Sequence, residues 1–204
     1  MNLPNRLTLL RIILIPLILV FLVPMPDSSF WDNWNGFIQN SGRLIAFFLF
    51  AIASITDLLD GHIARKRNLV TNLGKFLDPI ADKLLVISVM LVLIQTGRIH
   101  SLVVIIVIIR EFVITGIRLI GAEKGQVIAA GWLGKAKTVS QIIALLLLLI
   151  EPVILSISEG YFEPRILIAV NNSFLMIAVV MTLLSGMQYL YHHRSLLNQP
   201  EHDT

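Results

Sequence analysis

The chain contains no cysteine among its 204 residues. Disulfide bonds and thiolate metal sites are therefore excluded. Charge is also scarce: Asp, Glu, Lys and Arg make up 14% of the residues, against about 25% in a typical soluble domain. No internal repeat, low-complexity tract or break in composition divides the sequence, so a single domain spanning 1–204 is expected. The first apolar run follows Arg6 and Arg11, as in a secretory signal, but no small-residue cleavage site precedes "LVPMPDSSFW". It reads as a retained span.

Hydrophobic residues are abundant, at 56%, and they fall in long runs. About 20 apolar residues cross a bilayer, and six stretches qualify, roughly 7–25, 42–63, 76–97, 100–120, 134–157 and 165–191. The segment "MNLPNRLTLLR" reads as a short interfacial helix, with Leu3, Leu7 and Leu10 on one face and Asn5, Arg6 and Arg11 as polar partners. The expected fold is all-α, a polytopic membrane protein of six transmembrane helices with a short N-terminal interfacial helix. The last span ends in "YLYHHR", an aromatic and basic anchor.

Basic residues set the expected orientation. The N-terminus, the 64–75 and 118–137 links and the C-terminus hold Arg6, Arg11, Arg65, Lys66, Arg67, Lys75, Arg118, Lys124, Lys135, Lys137 and Arg194. The opposite links hold only Arg43, Arg98 and Arg165, beside Asp27, Asp32, Glu151, Glu159 and Glu163. Both termini are thus expected on the cytoplasmic side of the plasma (inner) membrane. The opposite side carries one sizeable loop, about 26–41, whose Trp31, Trp34 and Phe37 suit the interface.

Against this oily background, "DLLDGHIARKRNLVTNLGKFLDPIADK" stands out, with four acids in 27 residues (Asp57, Asp60, Asp78 and Asp82). Asp57, Asp60, Gly61 and Ala64 share a helix face, as do Gly74, Asp78 and Asp82. The short link "KRNLVTN" makes the two helices antiparallel neighbours, so the acidic faces can meet at the cytoplasmic end. Ionised groups at membrane depth are costly unless neutralised. A salt-bridge network with Arg65, Lys66, Arg67 and Lys83 is one solution. No basic residue interleaves with the acids on their own face, however, and carboxylate-only sites suit hard cations. Four acids suffice for two divalent ions, an arrangement used in phosphoryl chemistry. Gly61, Ala64 and Gly74 clear those faces, either for close helix packing or for approach of a phosphate to the backbone. Pro79 frees a carbonyl inside the second helix.

These residues resemble a family signature. Asp57-Leu-Leu-Asp60-Gly61-His-Ile-Ala64-Arg65, followed after eight residues by Gly74-Lys-Phe-Leu-Asp78-Pro-Ile-Ala-Asp82, looks like the complete signature of the CDP-alcohol phosphatidyltransferases. "NLPNRLTLLRIILIP", "IREFVITGIRL" and "GWLGKAKTVSQ" are similar to the bacterial branch of that family that uses glycerol 3-phosphate as acceptor. The resemblance covers most of the chain and weakens at 26–41, around 151–165 and in the tail. It implies a homodimeric membrane enzyme that takes CDP-diacylglycerol and glycerol 3-phosphate as substrates, lies among membrane lipid and binds no nucleic acid. It implies Mg2+ or Mn2+, with two ions held by Asp57, Asp60, Asp78 and Asp82. Asp82 would be the general base, with Asp78 beside it in the catalytic centre. Asp57, Asp60, Gly61, Ala64, Arg65 and Gly74 would line the CDP-diacylglycerol site.

The acceptor needs an anion site of its own. Arg110, Arg118, Lys135 and Lys137 can converge near the cytoplasmic end and are the expected glycerol 3-phosphate ligands. Arg110 could instead pair with Glu111 or an aspartate of the cluster, and Lys135 and Lys137 could simply snorkel. Glu111 is expected to orient one of these cations. Thr8 and Arg11 border the headgroup region without an assigned role. His62, His192 and His193 are read as bystanders. Another acceptor (inositol phosphate, serine or a second lipid) is the main alternative. A cation transporter is disfavoured because the acids cluster at one end rather than through the membrane depth.

Overall fold

The computed structural model describes the backbone of residues 3–67, 72–126, 131–158 and 163–197, and their side chains except at 3–6, 40, 58–67, 72–76, 78 and 195–197. Among the described residues, all regular structure is helical. The helices are α1 (Leu3–Val20), α2 (Asp32–Phe37), α3 (Arg43–Arg67), α4 (Asn72–Gln95), α5 (Ser101–Glu123), α6 (Trp132–Ile157) and α7 (Pro164–Leu197), with a π-helical turn over Ile38–Gly42 leading into α3. The last five helices fall where the apolar runs lie.

Two expectations are corrected. The interfacial helix and the start of the first span are one continuous helix, α1, with Pro16 inside it. Within it Leu10 is 42% exposed, as an interfacial apolar face would be, but Arg11 is only 2% exposed and is turned into the protein. The buried stripe runs Thr8, Arg11, Ile15 and Ile18, spaced three, four and three residues apart, while Ile13, Leu17 and Val20 face outward. Where the surroundings are apolar, a leucine loses nothing by facing out, and an arginine must find its partners inside. The second correction concerns the 26–41 loop, which is partly helical. Asn35 ties α2 back to the chain: its Oδ1 accepts from Met25 N at 2.9 Å and its Nδ2 donates to Met25 O at 3.0 Å.

The chain divides into two compact units, Met1–Ile99 with Leu145–Asn171, and His100–Ala144 with Asn172–Thr204. In the first, α1 packs against both α3 and α4. The stripe α3 presents is Ala46, Phe50 and Ala53, all fully buried, and α4 contributes Ala81, Leu85, Val89 and Leu93. Small residues in these stripes let helix backbones approach without a water-driven hydrophobic effect. The close approach is tightest at Gly42, where a Cβ would sit 2.9 Å from the Phe21 carbonyl oxygen. The second unit packs Ile114, Ile117 and Tyr189 together, and Gln141 Nε2 donates to Thr182 Oγ1 at 3.1 Å.

The exterior is apolar, with Phe112, Trp132 and Ile157 each more than 70% exposed, while Arg11, Lys137, Glu151 and Asn171 are buried. That inversion marks a membrane protein. Among the described residues, two helices are both long and apolar enough to cross a bilayer, Trp132–Ile157 and Pro164–Arg194.

Candidate active site

The acidic signature lies on the helices expected for it. Asp57, Asp60, Gly61, Ala64 and Arg65 are on α3, and Gly74, Asp78 and Asp82 on α4. Of these side chains, Asp57 and Asp82 belong to the described residues; those of Asp60, Gly61, Ala64, Arg65, Gly74 and Asp78 lie outside them. Asp57 follows Ala53 by one turn at the end of the buried α3 stripe, and Asp82 adjoins buried Ala81. Helix packing therefore aims the two acids at one point.

What they meet there is Arg11. Its Nη2 lies 2.8 Å from Asp57 Oδ1, and its Nη1 donates to Asp82 Oδ1. No basic residue interleaves with the acids on their own helix faces, and the cation they meet comes from a third helix, α1. Asp57 is 28% exposed and Asp82 43%, so both remain open to a bound substrate.

Two carboxylates converging from different helices is also an arrangement that can hold a hard divalent ion. The oxygens of Asp57 and Asp82 fit such an ion in donor type and in being brought together. Among the described residues, no group of three or more His, Asp or Glu side chains forms a metal cluster; the remaining signature acids, Asp60 and Asp78, lie outside that set.

A second group forms in the other unit. Glu111 Oε1 accepts from Arg110 Nη1 at 2.9 Å and from Lys137 Nζ. Lys137 is buried, so Glu111 orders two of the expected phosphate ligands rather than one. Arg118, one face further along α5, donates from Nε to Tyr189 Oη at 3.3 Å, its guanidinium carbon 5.7 Å from the ring centre. Lys135 is exposed at the start of α6. Gly186 on α7 gives Arg110 its room: a Cβ there would come within 3.2 Å of Arg110 Cγ.

Missing from the sequence reading were the role of Arg11 and the part played by Tyr189. The available signal for Arg11 was its register with Thr8, Ile15 and Ile18, but every other side of α1 is apolar too.

Comparison with known proteins agrees with the signature. The family model for CDP-alcohol phosphatidyltransferase matches residues 1–186, and the chain belongs to that family. Among its relatives, proteins named CDP-diacylglycerol–glycerol-3-phosphate 3-phosphatidyltransferase are 42% identical in Bacillus subtilis (strain 168), covering 92% of this chain and 93% of the relative. In Rickettsia felis the identity is 37% over the same shares. In Shigella flexneri serotype 5b it is 37%, covering 97% of this chain and 98% of the relative.

Proposed function

We propose that this chain transfers the phosphatidyl group of CDP-diacylglycerol to glycerol 3-phosphate, giving phosphatidylglycerophosphate and CMP, a step of phospholipid synthesis. The observation that carries this reading is near full-length similarity to proteins that bear this enzyme's name. The family signature between Asp57 and Asp82 lies inside the matched region.

Asp57, Asp60, Asp78 and Asp82 are proposed to hold two Mg2+ or Mn2+ ions, which when bound neutralise the diphosphate and stabilise charge on the leaving oxygen. Support comes from the convergence of Asp57 and Asp82 on a single cation. Gly61, Ala64, Arg65 and Gly74 line the cytidine diphosphate. A hydroxyl of glycerol 3-phosphate attacks the phosphorus that carries diacylglycerol. The bond from that phosphorus to CMP breaks, CMP leaves with the electron pair, and the hydroxyl proton passes to an oxygen of Asp82. A carboxylate is a weak base for an alcohol, so holding the hydroxyl in line is the larger contribution of these residues.

Arg110, Arg118, Lys135 and Lys137 hold the acceptor phosphate. The guanidinium groups offer paired donors to its oxygens, and Glu111 fixes Arg110 and Lys137 before the substrate arrives. The enzyme is proposed to be one multi-pass domain of six spans in the plasma membrane, homodimeric, with termini and active site cytoplasmic.

Two assays test the metal and base assignments. Chelation should stop CMP release and Mg2+ or Mn2+ should restore it; full turnover in chelator would remove the metal from the reaction. Asp82→Asn should abolish turnover while CDP-diacylglycerol still binds, and retained turnover would take the base role from Asp82.

A further inference from the structure

Arg11 is placed between Asp57 and Asp82 by α1, yet the transfer reaction gives it no task. It is 2% exposed, and separate nitrogens reach Asp57 Oδ1 and Asp82 Oδ1. A divalent ion held by these aspartates would draw on the same two carboxylates. We propose that Arg11 is a built-in counter-cation: it holds Asp57 and Asp82 together while the metal ions are absent and yields their oxygens when the ions bind. The proposal rests on the reading of these aspartates as metal ligands.

The physical case has three parts. Two carboxylates brought together repel, and without a neutralising charge α3 and α4 would be pushed apart at this end. A guanidinium is suited to the task because its planar fork presents several donors at once and it does not lose its proton. It is also a singly charged, flexible-stemmed group, so a divalent ion with the same oxygens in reach can outcompete it. Arg11 therefore sets the metal affinity of the site: it opposes ion binding by competition while keeping the empty site assembled. Arg11 is a positioning residue in this account, acting through the two acids.

The test is Mn2+ binding by titration calorimetry on the full-length protein in detergent without substrate, with thermal midpoints in EDTA and in Mn2+. Arg11→Gln should bind Mn2+ about tenfold more tightly than the unmodified protein, since competition is removed. Its midpoint should fall in EDTA and recover in Mn2+. Arg11→Lys keeps the charge but reaches one acid at a time, so its affinity should lie between the two and serves if Arg11→Gln fails to fold in EDTA. A gain for Arg11→Gln of less than roughly threefold, or weaker binding, would overturn the proposal. So would a midpoint lost equally in EDTA and Mn2+, which marks a purely structural arginine. If the unmodified protein takes up no Mn2+, the metal reading itself fails, a result distinct from unchanged affinity in the variant.

Discussion

Arg98 and Glu151 are joined by two parallel hydrogen bonds of 2.6 Å, from Nε to Oε1 and from Nη2 to Oε2. Asn171 Nδ2 adds a third, 2.6 Å, to Oε2. The carboxylate is 5% exposed, so one buried acid pins the turn after α4 to α6 and α7. Glu151→Ala takes this acceptor from both the arginine and the amide, and the amide keeps a long contact of 3.4 Å to Leu147 O. The expected loss is about 2–3 kcal/mol, somewhat below a fully buried pair because Arg98 keeps contact with solvent. Thermal unfolding in detergent should show it, with a smaller loss for Glu151→Gln. An unchanged midpoint would mean the pair does not hold these helices.

Glu111 offers a test of the acceptor site. Removing it in Glu111→Ala leaves buried Lys137 without this carboxylate and frees Arg110 from its neighbour. The acceptor kcat/KM should drop by about tenfold, the equivalent of about 1.4 kcal/mol of positioning, while the KM for CDP-diacylglycerol stays put. Steady-state kinetics with each substrate varied in turn separates the two. A shift in the donor KM alone would contradict the assignment.

Gly186 bears on the same site from α7. A methyl group at 3.2 Å from Arg110 Cγ asks the arginine stem to move slightly, whereas a larger side chain must displace it. Gly186→Ala should therefore raise the acceptor KM modestly and Gly186→Leu severely, in order of size. Equal effects for both would indicate a backbone disturbance instead of contact with Arg110.

Gly42 tests the packing of the π-helical turn. The obstacle to a Cβ there is a backbone oxygen, Phe21 O, at 2.9 Å, and backbone cannot swing aside as a side chain can. Gly42→Ala should cost about 1–3 kcal/mol, read as a lowered thermal midpoint. If the variant is as stable as the parent, the π-helical turn does not approach residue 21 this closely.

How far the sequence anticipates this structure depends on contrast. From α3 to α7 the helices were legible because apolar runs are bounded by polar links such as "KRNLVTN". The acids were legible because Asp57 and Asp60, and Asp78 and Asp82, repeat at helical spacing in a chain with little other charge. In α1 the contrast disappears. Leucine and isoleucine surround the helix, so nothing marks which side is buried, and Arg11 reads as a headgroup-side residue although it is turned into the protein. The six residues of α2, "DNWNGF", are too few to show a period. Pairing between separate helices, as in Glu111 with Lys137 or Arg98 with Glu151, needs the packing and not the pattern. Asp60 and Asp78 were read from spacing and family signature, and their role stays with the proposal above.

Acceptor choice tests the central claim most directly. The purified protein, given CDP-diacylglycerol, Mg2+ and one acceptor at a time, should release CMP with glycerol 3-phosphate and not with inositol phosphate, serine or a second lipid. Release of CMP with inositol phosphate, serine or a lipid acceptor but not with glycerol 3-phosphate would contradict the account.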